Sequence, residues 1–268
     1  YEEAYFEIKD KYFSDWPWPN ASNYPISMSQ VFVDTLHANI DDLYWRNSGK
    51  KIVGVSPVGD EDLKKSKNLE SLLNWQGIHD IEDFQEEDSA SNFYCIQKGT
   101  GFLKVLDVAA VGQFKLGAFN IKPEYVYIPV GSTGTTIGKS SAVTQLIPLS
   151  ANDLRTRMAS EQYRNLDKVG KGFLPLSLSA EELRQIEKEV SGLDKIRSND
   201  RGTWWICERY WTYYPKGSLR AQELIIWFSP ITGAILRKIK NTDGIRPIID
   251  KSIYENYGSP FHRSLPEK

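Results

Sequence analysis

The sequence contains few of the residues that build disulfide or metal frameworks. Its 268 residues include only two cysteines, Cys95 and Cys207, and three histidines. Two cysteines give no disulfide framework and suit a reducing compartment. His37, His79 and His262 lie far apart in the chain, so their spacing indicates no metal site. We therefore expect neither a metal nor a cofactor.

Long apolar runs and an excess of one charge are also missing. No segment approaches the roughly 20 apolar residues of a membrane span, and no signal peptide is visible. The 33 basic and 35 acidic residues give a formal net charge of −2, so no overall positive field attracts the chain to nucleic acid. These features favour a globular protein of one large or two modest domains, without a membrane partner.

The first part of the chain has the apolar periodicity of helices. Residues 27–30 form a capping box, and residues 28–46 follow as an amphipathic helix. Asp60 is placed to cap a second helix, and Asp80 is placed to cap a third, acidic one. The side chains expected to face the core are Met28, Phe32, Leu36, Ile40 and Leu43 in the first helix, and Leu63, Leu69, Leu72, Leu73 and Trp75 in the second.

The third helix runs into a pair of glycines, Gly99 and Gly101. Glycine adopts backbone conformations that are closed to other residues. The next residues, 102–108, have the β-branched and aromatic content of a strand. The sequence therefore predicts that Gly99 and Gly101 form a structural corner between a helix and a core strand.

The second part of the chain has the composition of strands. Residues 112–119 are placed to pair back on the preceding strand, and residues 124–130 are a further strand candidate. Residues 203–214 are rich in aromatic side chains on both faces, which is typical of a central strand covered on two sides. Residues 223–228 and 234–240 flank a turn and predict a hairpin.

The predicted fold class is therefore α+β, with N-terminal helices leading into a mixed, mostly antiparallel sheet. Capping patterns predict additional surface helices after residue 150 and over residues 178–199. We expect residues 1–23 to be an extended aromatic arm, because prolines interrupt them. Residues 24–252 are expected to form the α+β domain, and residues 253–268 to lead out of it.

Two segments suggest binding functions, and each also has a structural interpretation. The glycine-rich loop 131–140 contains Gly-Lys-Ser, but a phosphate loop needs four residues between its first glycine and that triplet. Gly134 is one residue too close and Gly131 two too far, so a mobile, exposed loop is favoured over a nucleotide-binding enzyme. Residues 204–213 offer aromatic side chains for stacking on nucleic-acid bases. Core packing is favoured there, because the segment has only one arginine and one glutamate.

The order of several segments resembles the portal proteins of tailed bacteriophages, particularly the podovirus-like branch. The segments span about residues 24–260 and are individually degenerate. They are the helix from Met28, KIVGVSP at 51–57, LLNW at 72–75, KGTGFLKV at 98–105, PLSANDLRTRMASEQY at 148–163, CERYW at 207–211, residues 229–236 and NTDGIRP at 241–247.

The resemblance implies a non-enzymatic structural subunit of a ring, usually of twelve copies, at one vertex of the capsid. Double-stranded DNA is packaged and ejected through such a ring, in the virion and, during assembly, in the host cytoplasm. The implied partners are other portal subunits, the major capsid protein, and a terminase and tail adaptor that bind regions absent from this sequence.

The matching segments are those of the N-terminal wing region, so we expect this chain to be a wing truncated before the first stem helix. Wing regions contact neighbouring subunits and the capsid shell. The candidate contact residues are the aromatic side chains of the arm, Tyr5, Phe6, Tyr12, Phe13, Trp16 and Trp18.

Overall fold

A computed structural model describes residues 28–46, 52–81, 83–107, 116–129, 136–149, 153–154, 156–157, 163–165, 168–169, 204–217, 220–242, 244–256 and 259–264. Helices followed by antiparallel sheets confirm the predicted α+β class. The chain divides into two compact units. Unit 1 contains residues 1–123, 247–256 and 261–268, and unit 2 contains residues 124–246 and 257–260. No helix in the described ranges is long and apolar enough to cross a membrane.

The elements are numbered in chain order. The helices are α1 (Met28–Asp41), α2 (Leu63–Trp75) and α3 (Phe84–Lys98). The strands are β1 (Thr100–Asp107), β2 (Leu116–Ile121), β3 (Val126–Tyr127), β4 (Ala142–Leu149), β5 (Trp204–Tyr213), β6 (Gln222–Phe228), β7 (Ile235–Lys240) and β8 (Ile248–Ser252).

Helix α1 forms as predicted and continues as a π-helical turn over Asp42–Arg46, but its inner face differs from the expected one. Val33 is buried against Ile96 of α3, and Leu36 and Ile40 pack beside it. Three of the side chains expected in the core are exposed, namely Met28, Phe32 and Leu43. Residues four apart drift by about 40° around a helix. Of the residues spaced along α1 from Met28, only the middle ones, Leu36 and Ile40, therefore face the core.

Helix α2 departs further from the expectation. Of its predicted core residues, Leu63, Leu69, Leu72 and Trp75 are exposed, and Leu73 is half-buried. The buried residues are instead Ser66 and Asn74. The Asn74 amide accepts hydrogen bonds from the backbone N–H of Ile52 (2.5 Å) and Val53 (2.9 Å) and donates to the Val53 carbonyl (2.8 Å). A polar side chain thus holds the backbone of residues 52 and 53, and residues 52–57 pair with no strand in the described ranges.

The two predicted aspartate caps are wrong. Asp60 lies in a 3₁₀ turn, Asp60–Asp62, and α2 begins after it without a side-chain cap. Asp80 lies in a π-helical turn, Gln76–Asp80, so α3 begins four residues later. Asp83 precedes α3 with a positive φ of 54°, which orients its backbone away from helix geometry.

The sheet of unit 1 has the order β2-β1-β8, with antiparallel neighbours. The predicted pairing of 112–119 with the preceding strand is confirmed for the described residues, because Asp107 pairs with Leu116 and Phe102 pairs with Ile121. Phe102 and Ile121 are both buried.

The sheet of unit 2 has the order β3-β4-β5-β6-β7, also antiparallel throughout. Strand β5 is central, as predicted, and β6 and β7 form the predicted hairpin. Two hydrophobic core clusters include residues of β5. The first contains Ile206, and the second contains Trp205 and Cys207. Because Ile206 and its two neighbours in the strand alternate between the faces, the core covers β5 on both sides over residues 205–207.

One strand prediction needs correction. Residues 124–130 are expected to be a strand, but a 3₁₀ turn over Pro123–Tyr125 leaves only Val126–Tyr127 paired. The proline fixes a φ that suits the start of a helical turn. Of the predicted surface helices, residues 153–154 and 156–157 are helical. The helix over 178–199 and the arm 1–23 lie outside the described residues.

Candidate functional site

The glycine corner is built on close backbone approach. Gly99 ends α3 with a φ of +87°, and its N–H donates to the Cys95 carbonyl at 3.0 Å. A Cβ on Gly99 would lie 2.2 Å from the His262 carbonyl oxygen. A Cβ on Gly101 would lie 2.1 Å from the Ser91 carbonyl oxygen. No other side chain fits either position without moving backbone.

The segment expected to lead out of the domain packs on this corner. His262 donates its backbone N–H to the Thr100 hydroxyl at 2.8 Å, and its Nδ1 accepts from the Asn256 N–H at 2.9 Å. Tyr254 and Arg263 form an antiparallel bridge. The described residues at 253–256 and 261–264 therefore pack within unit 1, and the described residues from 253 to 264 contain no helix.

The described end of the glycine-rich loop is held by an arginine. Arg246 donates to the carbonyl oxygens of Ile137 (3.2 Å) and Ser140 (2.8 Å) through one terminal nitrogen. Through the other it donates to the Thr212 hydroxyl (3.0 Å) and the Glu223 carboxylate (3.0 Å). The loop therefore presents carbonyl oxygens to a cation, which is the reverse of the outward amides that bind phosphate.

The rest of the loop also lacks the geometry of a phosphate-binding loop. Gly138 lies in a 3₁₀ turn, Ile137–Lys139, and the turn leads into β4, where a phosphate loop requires a helix. Ile137 and Ser140 are buried, so the expectation of an exposed loop is wrong for these two positions. Gly138 and Lys139 between them are exposed, as expected. Residues 130–135 lie outside the described part of the chain.

His37, Ser89 and Asp41 meet between α1 and α3, beside a cleft of about 540 Å³. The His37 Nε2 lies 2.9 Å from the Ser89 carbonyl oxygen and 3.1 Å from the Ser89 hydroxyl, which donates to Asp41. The Asp41 carboxylate also lies 3.4 Å from that same ring nitrogen. A catalytic triad needs the acid on Nδ1. The arrangement therefore joins helices α1 and α3.

The acidic start of α3 bonds in part to the sheet of unit 1. Glu87 accepts from the Asn120 N–H at 2.6 Å. Asp88 forms an ion pair with Lys251 of β8. No group of three or more His, Cys, Asp or Glu side chains in the described residues is placed to hold a metal ion.

The polar groups inside the sheet of unit 2 are bonded to one another. Glu208, on the central strand β5, accepts from the Tyr210 hydroxyl and from the Trp227 ring N–H at 3.0 Å. Burial and the neighbouring Glu208 raise the pKa of Tyr210. Burial also raises the pKa of Cys95 and of Cys207 to about 11, so both thiols are unreactive in the folded chain.

No model of a protein family matches the chain, and no curated protein matches it.

The candidate contact residues of the arm, Tyr5, Phe6, Tyr12, Phe13, Trp16 and Trp18, lie outside the described residues. Sequence reasoning missed the structural roles of Asn74 and Arg246. Both lie in segments that carry the portal resemblance, but nothing in those segments indicates the distant groups that the two side chains contact.

Proposed function

We propose that this chain is the wing region of a phage portal subunit, a structural component of a ring that conducts double-stranded DNA at one capsid vertex. The ordered series of portal-like segments over residues 24–260 supports this proposal. The observation that carries it in the structure is the outer face of α2, whose apolar side chains point away from unit 1.

The outer face of α2 has the character of a contact surface. Leu69 is 46%, Leu72 51% and Trp75 55% exposed, whereas the buried residues of the same helix are Ser66 and Asn74. Burying these apolar side chains would be favourable, and contiguous apolar patches of this kind mark sites of protein interaction.

A second exposed apolar face lies on α1, where Met28, Val31 and Phe32 are exposed. The two faces differ in charge: Asp34 is exposed on α1, whereas Lys64, Lys65 and Lys67 are exposed on α2. A ring assembles through contacts between two different surfaces of each subunit. Two apolar faces of opposite charge on unit 1 suit such head-to-tail contacts.

In this function the chain performs no chemistry. The carbonyl-lined loop at Arg246 and the helix-joining trio at His37 are structural, and ATP hydrolysis belongs to the terminase. The net charge of −2 suits a ring through which DNA slides, because strong phosphate binding would resist movement. The proposed partners are other copies of the chain, the major capsid protein and the transported DNA.

Labelling of whole particles tests the proposed function. Antibodies raised against this chain are expected to bind purified phage particles at a single vertex, seen as one gold label per particle by electron microscopy. Labels at all vertices, or only on tails, would contradict a portal. An antibody against the major capsid protein provides the control, since it labels the whole shell.

Self-association tests the α2 surface. We expect the chain to associate weakly in solution, since a contact must first offset several kcal/mol of lost translational and rotational freedom. Leu72→Glu places a charge in the outer apolar face and is expected to abolish this association in sedimentation velocity. Ser71→Glu adds the same charge at the adjacent exposed position and should leave the self-association unchanged. If both variants sediment alike, the outer face of α2 does not form the contact.

A further inference from the structure

One face of the sheet in unit 2 collects side chains from all five strands in rows. Residues paired across antiparallel strands point to the same face. Arg209 of β5 pairs with Thr144 of β4 and with Ile226 of β6. Thr144 pairs in turn with Tyr127 of β3, and Ile226 pairs with Lys238 of β7. These five residues therefore form one row across the sheet.

The next two rows belong to the same face, because every second residue of a strand points the same way. Trp211 pairs with Ala142 and Leu224, and Leu224 pairs with Lys240. Tyr213 pairs with Gln222. We call the six charged and aromatic members of these rows the basic aromatic face: Tyr127, Arg209, Trp211, Tyr213, Lys238 and Lys240. The three rows contain no carboxylate.

These side chains are accessible to different degrees. Tyr127 is 45% exposed, Lys238 and Lys240 are exposed, and the three members on β5 are half-buried. The Arg209 guanidinium lies 5.6 Å from the centre of the Trp211 ring, and the Trp211 and Tyr213 rings are 5.2 Å apart. Within the described residues none of the three cations forms an ion pair, and the buried Arg209 Nε has no hydrogen-bond partner.

The structure thus supplies what the sequence of β5 lacks. Taken alone, the strand has one arginine and one glutamate. Glu208 points to the opposite face, where it is buried and bonded to Tyr210 and Trp227. The two lysines arrive from β7, roughly 10 Å away across two strand spacings. Burial raises the pKa of Tyr127, and the negative charge of the nearby Glu124 carboxylate contributes to this shift. Because Glu124 lies near β3, the positive side of the face lies between β5 and β7.

We propose that the basic aromatic face binds single-stranded nucleic acid. Lys238, Lys240 and Arg209 neutralise phosphates, and the aromatic rings provide planes for bases to stack on. A duplex shows phosphates but hides the faces of its bases, so the aromatic members of the face favour an unpaired strand. This binding activity is independent of the ring proposal, because it involves unit 2 alone and needs no second copy of the chain.

Fluorescence anisotropy with a labelled 15-nucleotide oligothymidine tests the inference. The double variant Lys238→Ala/Lys240→Ala is expected to raise Kd by about tenfold at low salt and to make the slope of log K against log salt shallower by about 1.4. The matched control is Lys65→Ala/Lys67→Ala, which removes two exposed lysines from α2 in unit 1 and should change neither value.

Tyr127 separates stacking from charge. Tyr127→Ala is expected to weaken binding by about fivefold or more, whereas Tyr127→Phe keeps the ring and should bind like the original chain. Absence of binding at low salt would overturn the inference. Equal effects of the two lysine pairs, or equal binding by the Phe and Ala variants, would also overturn it. A duplex that binds as tightly as the single strand would exclude stacking as the basis of recognition.

Discussion

Gly99→Ala is expected to destabilise unit 1 by about 2–5 kcal/mol, through two separate costs. The first is conformational, because Gly99 has a φ of +87°, which an L-residue with a Cβ disfavours. The second is steric, because the Cβ would lie 2.2 Å from the His262 carbonyl oxygen and 2.5 Å from the Arg263 carbonyl carbon. Both neighbours are backbone atoms, so no rotation of a side chain relieves the contact.

Gly101→Ala isolates the steric cost. Gly101 does not have a positive φ, yet its Cβ would lie 2.1 Å from the Ser91 carbonyl oxygen, inside α3. We expect a loss of about 1–3 kcal/mol or more, because α3 and β1 must separate to admit the methyl group. The valine variants should be worse still at both positions, since branching at Cβ adds further atoms.

Two other glycines provide the controls. Gly59 has a φ of −146°, and a Cβ there meets nothing within 4 Å, so Gly59→Ala should be nearly neutral. Gly217 has a φ of +83° in open space, so Gly217→Ala shows the conformational cost alone. Hydrogen exchange of the β1 amides reports on unit 1, and thermal melting reports on the whole chain. Equal stability of the Gly99, Gly101 and Gly59 variants would show that the corner is ordinary backbone.

The sequence predicts those elements whose local pattern and final surroundings agree. Strand β5 has apolar side chains on both faces, and the structure covers both over residues 205–207. The glycine pair at 99–101 interrupts a helical pattern before a strand pattern, and the helix ends there. In each case the evidence lies within a few adjacent residues, so no distant partner is needed to interpret it.

Helix α2 shows where this reasoning fails. Its periodicity identifies an apolar side through Leu69 and Leu72, but periodicity does not say whether that side meets the core or another molecule. The inner side is decided by Asn74, whose amide bonds the backbone of residues 52 and 53. A hydrogen bond between residues more than 20 positions apart leaves no local pattern in the sequence.

The basic aromatic face could not be predicted for a related reason. Lys238 reaches the row of Arg209 only through the register of β6 with both neighbours. A shift of one residue in either pairing would move Lys238 to the opposite face. A bulge between Trp227 and Phe228 interrupts that register, so counting residues along the β6–β7 hairpin does not give the pairing. The charge composition of β5 alone therefore favours core packing, whereas its neighbours in the sheet bring Lys238 and Lys240 to the face of Arg209.

Arg246→Ala is expected to destabilise unit 2 by about 3–5 kcal/mol, because it leaves a largely buried carboxylate without its cation. The Arg246 side chain is 7% exposed and the Glu223 side chain 18%. Without the arginine, the side-chain partner left to Glu223 Oε1 among the described residues is the Thr212 hydroxyl. The carbonyl oxygens of Ile137 and Ser140 would also lose their charged donor.

Two further variants show which part of the arginine matters. Arg246→Lys keeps the charge but loses the planar fork that reaches four groups at once, so an intermediate loss is expected. Arg246→Met/Glu223→Gln removes both charges. It should be more stable than Arg246→Met alone, because no unpaired charge remains buried.

The exposed ion pair of Lys65 with Asp62, at 3.3 Å, is the matched control, and Lys65→Ala should change stability by no more than about 0.5 kcal/mol. Urea unfolding gives the free energies, and limited trypsin digestion follows the loop directly. Arg246 holds the carbonyl oxygens on either side of Lys139, so cleavage after Lys139 should be faster in Arg246→Ala than in the original chain. If Arg246→Ala costs no more than Lys65→Ala and leaves that cleavage rate unchanged, the loop is fixed by the burial of Ile137 and Ser140 alone.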